Sequence, residues 1–178
     1  MKKSIISKVF IDTILKQYLL PWSGIHGVSH WARVLENGLR LQQHTGANIQ
    51  VVQYFAVFHD VKRINEGIHN DHGRQGAEYA ASLHGSLFEL GDEDFDRLYT
   101  ACAYHTDGLT EGDITIQTCW DADRLDLGRA GIIPLPQYLC TDAAKDSAMI
   151  EWANKRSCEG FIPEIVYTEW GFDPNLSH

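Results

Sequence analysis

The sequence predicts an all-α fold, a single compact helical bundle. Three observations carry that reading. Apolar residues recur at helical spacing in segment after segment, Gly and Pro residues punctuate those segments, and no linker, repeat or low-complexity stretch divides the 178 residues. At this length one core is the default, so residues 1–178 are expected to form one domain.

The elements follow in order. In MKKSIISKVFIDTILKQYLL, Ile5, Ile6, Val9, Phe10, Ile14 and Leu15 lie at helical spacing and predict an amphipathic helix on the core. Lys8, Asp12 and Lys16 break every apolar run that would serve a secretion signal. Pro21 and Gly24 mark a break, and Val28, Trp31, Val34, Leu35 and Leu39 predict a second helix carrying His30 and stopping at Thr45 and Gly46. IQVVQYFAVFHDVKR is apolar nearly all round, as a central buried helix is, and ends in His59 and Asp60. Glu66 to His72 reads as a loop, and GRQGAEYAASLHG as a short helix with His72 at its entrance and Gly85 as its stop. In GDEDFDRLYTACAYHTDG, Asp92 is the expected N-cap, the acidic first turn suits the helix dipole, His105 falls in the last turn and Gly108 stops it. ITIQTCWDADRLD follows Asp113; its β-branched start leaves a strand open for the first half, while Cys119, Ala122 and Leu125 on one face favour helix. After Pro134 and Pro136, DAAKDSAMIEWANKR reads as a last helix, and the tail from Gly160 is aromatic-rich and irregular.

Composition narrows the functional classes. Hydrophobic content of 44% and charged content of 22% are ordinary for a globular protein, and no stretch has the apolar length of a membrane span, so a cytoplasmic protein with no membrane partner is expected. Cys102, Cys119, Cys140 and Cys158 form no CxxC pair and read as ordinary intracellular thiols. A formal net charge of −9 argues against nucleic acid as the partner, because phosphate-backbone binding needs clustered Lys and Arg. An anionic substrate would need a local cation, which a bound metal supplies.

Divalent metals are held by neutral imidazoles and carboxylates, and the predicted helix ends carry several. Adjacent on a helix, His59 and Asp60 diverge by about 100° and cannot both point straight into one core, so a polar cavity is expected at that helix end. An HD dipeptide alone carries almost no information. Here HGVSHWARV precedes it and WDADRLD follows it, and the ordered set resembles the H…HD…D signature of the HD superfamily of metal-dependent phosphohydrolases over roughly residues 22–130. The resemblance implies an HD-type helical bundle with metal ligands His30, His59, Asp60 and Asp123. The last is chosen over Asp121 and Asp126 because a basic residue and Leu follow it. HGRQGA is similar to an element of binuclear members, which makes His72 and His105 candidates for a second metal. Thr106 and Arg63 depart from binuclear and nucleotidase patterns respectively.

The implied activity is hydrolysis of a nucleotide or similar small phosphate ester or anhydride by a metal-activated water, with Asp60, His72 and His105 orienting water or moving protons. His26, one helical turn before His30, and Arg63 and Arg124, basic residues beside the motifs, are the candidates for phosphate binding. Trp22, Trp31 and Tyr104 are aromatics near the motifs that suit a base, and His84 is given no role. The oxygen- and nitrogen-rich ligand set admits Mn, Mg, Fe, Co or Zn. A homodimer is left open. The rival readings are an HD-type di-iron oxygenase acting on a small polyol or phosphonate, which needs the same six residues, and a non-catalytic ligand-binding module.

Overall fold

The structure is a computed structural model and describes residues 4–172. Among these the elements are helices α1 (Lys8–Leu15), α2 (Val28–Thr45), α3 (Ile49–Phe58), α4 (His72–Leu83), α5 (Asp92–Tyr104), α6 (Ile114–Arg124), α7 (Asp142–Lys145), α8 (Ser147–Cys158) and α9 (Ile165–Thr168), with short 3-10 turns at Leu127–Ala130 and Pro136–Tyr138. There is no sheet among the described residues, only one bridge pair, His84 with Phe88. The all-α expectation holds, and ITIQTCWDADR is helical from its first residue because Asp113 caps it, accepting from the Thr115 amide.

α3 is the centre. Every residue from Val51 to Phe58 is buried, and α2, α4, α5 and α6 all pack on it. Phe55 and Phe58 are fully buried, and each such side chain contributes about 1.5–3 kcal/mol relative to exposure. Asn48 caps its start by accepting from the Gln50 and Val51 amides. Hydrogen bonds fasten α6 to its neighbours: Asn37 Nδ2 donates to the Ala122 carbonyl at 2.9 Å, Trp120 Nε1 to that of Ala101 at 3.0 Å, and Thr118 Oγ1 to Thr45 Oγ1 at 3.0 Å. The helix ends that carry chemistry are thereby fixed relative to one another.

Several boundaries differ from the expected ones. In α1 the buried face is Phe10, Ile11 and Ile14, with Ile6 buried just before the helix, while Val9 is 71% exposed. The expected face is met at Ile6, Phe10 and Ile14, with Ile5 and Leu15 partly buried against the core, and missed only at Val9. The N-cap of α5 is Gly91, one residue before Asp92, and Asp92, Glu93 and Asp94 fill its first turn. His105 is the C-cap of α5 rather than a residue of its last turn. The expected last helix is broken at Asp146, whose extended backbone (ψ 130°) separates α7 from α8 and whose carboxylate accepts from the Ala148 and Met149 amides. The tail adds α9 and buries Trp170, whose indole N–H donates to the Ile6 carbonyl at 3.1 Å. No helix among the described residues is long and apolar enough to cross a membrane.

Candidate metal centre and active-site cavity

Five helix ends meet at one place. α2 brings His30 in its first turn and His26 just before it, α4 brings His72 as its first residue, α5 brings His105 as its C-cap, and α6 brings Asp123 in its last turn. α3 ends at Phe58, so His59 is its C-cap and Asp60 lies in the following turn. His59 keeps helical dihedrals (φ −59°, ψ −38°), and Asp60 is buried beside it in the turn that follows. Both are buried at 0% and 1% exposure, with His59 Nε2 3.7 Å from Asp60 Oδ2.

Two clusters form around the two oxygens of Asp60. In the first, His30 Nε2 lies 3.0 Å from His59 Nε2, 3.5 Å from Asp60 Oδ2 and 3.5 Å from Asp123 Oδ1. His59 Nε2 is 3.7 Å from Asp123 Oδ1. In the second, His72 Nε2 lies 3.0 Å from both His105 Nε2 and Asp60 Oδ1, and His105 Nε2 is 3.6 Å from the same oxygen.

The tautomers decide what such clusters are for. His59 Nδ1 faces the Phe55 carbonyl at 3.1 Å and His105 Nδ1 that of Cys102 at 2.8 Å; His72 Nδ1 faces the His69 carbonyl. A carbonyl only accepts, so each Nδ1 carries the proton. His30 Nδ1 likewise donates to Asp126 Oδ2 at 2.7 Å. In the neutral imidazoles each Nε2 is then a bare lone pair aimed at another lone pair and at carboxylate oxygens. Asp123 Oδ1 is buried without a hydrogen-bond donor. The four Nε2 lone pairs and Asp123 Oδ1 converge with no hydrogen between them, an arrangement that a cation among them would stabilise. Ligands about 2.1 Å from a common ion are separated by about 3.0–3.4 Å, close to the spacings found here. The buried His and Asp groups can hold a metal ion, and in the second cluster a further one.

Backbone approach makes the second cluster. A Cβ on Gly73 would lie 2.5 Å from the Cys102 carbonyl oxygen and 2.9 Å from His105 Nδ1, and one on Gly76 would run into the Phe58 carbonyl. The two glycines of HGRQGA thus let α4 close on α3 and α5, which brings His72 to His105.

Asp126, passed over in the sequence in favour of Asp123, is an outer support. It is fully buried, accepts from His30 Nδ1, and takes Arg33 Nε at 2.7 Å and Nη2 at 3.0 Å. The only available signal was its spacing, three residues past Asp123 at a helix end. His26 donates through Nδ1 to Asp60 Oδ2 at 2.7 Å, and Arg63 Nε donates to Asp60 Oδ1 at 2.9 Å. Arg129 Nη2 lies 3.6 Å from Asp123 Oδ1. Arg124 does not meet the clusters: its amino groups donate to the backbone carbonyls of Tyr138 at 3.0 Å and Leu109 at 2.7 Å.

Electrostatics follow from burial. Burial lowers the His59 pKa to about 3, only partly offset by Asp60 and Asp123, so this imidazole is neutral at pH 7. Burial acts against the charged form of His105 too, but the Asp60 carboxylate beside it and the Asp123 charge outweigh it and raise the pKa. Burial raises, and the surrounding histidines more than reverse, the pKa of Asp60, which ends well below the usual carboxylate range. In Asp123 the same burial is overcome by His59 first and then Arg129.

No protein-family model matches the chain, and no curated protein does. Among solved structures it is similar to a "predicted HD superfamily hydrolase" from an uncultured Thermotogales bacterium, with 27% identity, a TM-score of 0.61, and coverage of 84% of this chain and 86% of that one. The chain has the HD-domain fold. Its HD pair is His59 and Asp60, at the centre of the two clusters.

A cavity of about 470 Å³ opens over the HD pair. Its floor includes Asp60, His105 and Asp123, with His26, Arg63 and Arg129 at the sides. Trp22, Trp31 and Tyr104, the expected base-stacking aromatics, do not line it. Trp31 is core, Trp22 packs on Phe172 with ring centroids 4.8 Å apart, and Tyr138 is the aromatic ring present. A larger groove of about 850 Å³ runs past Arg40, His44, Gln117 and Asp142. It gathers no converging lone pairs, so the chemistry is assigned to the cavity over the HD pair.

Proposed function

We propose that this HD-fold chain is a metal-dependent hydrolase that cleaves a small phosphate ester or anhydride, nucleotides among them. The observation that carries the reading is the pair of histidine lone-pair couples facing the two oxygens of Asp60 beneath an open cavity. His30, His59, Asp60 and Asp123 would hold one divalent cation, and Asp60, His72 and His105 a second. A cation there supplies Lewis acidity and a water of lowered pKa.

The chain's own residues do the rest. Asp126 and the backbone carbonyls fix each imidazole in one tautomer, so no ligand needs to reorient before reaction. Arg63 uses two hydrogen bonds on Asp60 and Gly67, leaving part of its five-donor fork for phosphate oxygens. His72 and His105 spend both nitrogens within the site, which leaves them to position rather than to carry protons. His26 lines the cavity with its Nε2 3.8 Å from Glu66 Oε2, and we assign it to give the leaving oxygen its proton.

The test is turnover. Metal-stripped protein reloaded with Mn²⁺ is incubated with nucleoside mono-, di- and triphosphates, dinucleotides and simple alkyl and aryl phosphates, and the products are resolved by chromatography. Phosphate or pyrophosphate release by wild type and not by Asp60→Ala is expected. No release from any substrate would refute the reading. The completeness of the second cluster also suits two irons, so oxygen consumption by iron-loaded protein with a polyol or phosphonate would replace hydrolysis with oxygenation.

A further inference from the structure

The cavity has two unlike halves. Its floor is the charged cluster, whereas its outer wall is the segment 131–139, sequence GIIPLPQYL. Ile132, Ile133, Leu135 and Tyr138 line the cavity yet are 53%, 66%, 44% and 65% exposed. Single exposed apolar side chains are ordinary, but four together lining a cavity that also holds the charged cluster mark a binding surface.

This wall is held in place. Pro134 and Pro136 restrict its backbone, and Pro134 and Leu139 turn inward. Beside it the buried Arg124 donates to the carbonyls of Tyr138 and Leu109, which ties the wall to the segment that follows α5. At its far end Asp121 accepts from the amides of Cys140 at 2.7 Å and Thr141 at 2.8 Å. Arg124, which also lines the cavity, therefore holds the wall in position.

The wall's chemistry restricts what it can recognise. Reading a base edge or a ribose takes directed donors and acceptors. Among its side chains that line the cavity, the segment offers only the Tyr138 hydroxyl. A cavity of about 470 Å³ is also far larger than a phosphate group alone requires.

We propose that the 131–139 segment is the specificity wall of the site, and that the substrate is a phosphate monoester with an apolar organic group lying on Ile132, Ile133, Leu135 and Tyr138. This rests on the phosphohydrolase reading above, with the phosphate at the Asp60–Asp123 floor.

The test measures binding, so that it stands apart from turnover. Calorimetry on Mn²⁺-loaded protein gives dissociation constants for inorganic phosphate and for methyl-, butyl-, phenyl- and naphthylphosphonate. Affinity is expected to rise about tenfold or more from methyl to naphthyl, as the added apolar burial dictates. In Ile133→Ser and Leu135→Ser, which change solvent-facing residues and so leave folding intact, that ratio should fall to about twofold. Equal affinity along the series, or a ratio unchanged in both variants, would overturn the wall while leaving the phosphohydrolase reading standing. Failure to bind phosphate and every phosphonate would instead remove the phosphohydrolase reading, and the wall's role with it.

Discussion

Asp126→Asn tests how the outer support governs the metal centre. The carboxylate is fully buried and serves two partners, accepting from His30 Nδ1 at 2.7 Å and from Arg33 at 2.7 and 3.0 Å. Arg33 is itself only 4% exposed. Asparagine keeps the shape but has one acceptor oxygen, so its amide N–H groups must face either the guanidinium or the imidazole N–H. The variant also leaves a buried guanidinium without its counter-charge, a change that costs about 3–5 kcal/mol. That is a large share of a total stability of about 5–15 kcal/mol. Loss of an outer partner of this kind lowers metal affinity about 10–100-fold. Urea denaturation of the metal-free protein reads the first effect, and competition with a chromophoric chelator reads the second. Asp121→Asn is the control. Asp121 is equally buried but bonds Cys140 and Thr141, so it should lose stability and keep its metal affinity. If Asp126→Asn bound metal as wild type does, or lost less than about 0.5 kcal/mol, the support assigned to Asp126 would be wrong.

Three further outcomes are expected. Gly73→Ala should push α4 off the Cys102 carbonyl and separate His72 from His105, so that metal titration shows the second, weaker equivalent lost while the first survives. Metal-free protein should lose stability as pH falls from the ordinary 6.5 toward the depressed His59 value of about 3, because the unfolded chain takes up a proton that the folded one refuses. The slope approaches about 1.4 kcal/mol per pH unit for that one group, and His59→Gln should flatten it in denaturation curves at pH 6, 5 and 4. Cys158 is exposed, whereas burial pushes the Cys140 thiol up to about 12 and Cys102 and Cys119 are fully buried. Mass spectrometry after brief iodoacetamide treatment of the folded protein should therefore find Cys158 alkylated first; equal labelling of Cys140 would contradict this packing.

The fold was legible where one strong pattern governed a segment. The all-round apolar run from Ile49 to Phe58 has the look and length of a central helix, and its polar end pointed to a cavity. The residues that meet at Asp60 were legible for another reason: His30, His59, Asp60 and Asp123 lie in three ordered motifs, each at a helix end. What the sequence hid depends on contacts far apart along the chain. Asp126 reaches Arg33 across 93 positions, and Arg124 reaches back to Leu109 and forward to Tyr138. No local spacing reports where a guanidinium spends its donors. The wall at 131–139 was read only as a proline break, because exposure and cavity lining belong to tertiary structure.

In the proposed centre Asp60 would join two cation sites. Metal content by inductively coupled plasma mass spectrometry, on Mn²⁺-loaded and desalted wild type, His72→Ala and Asp60→Ala, tests it most directly. About two ions per chain, about one, and almost none are expected respectively. Wild type retaining no metal, or Asp60→Ala retaining the full complement, would contradict it.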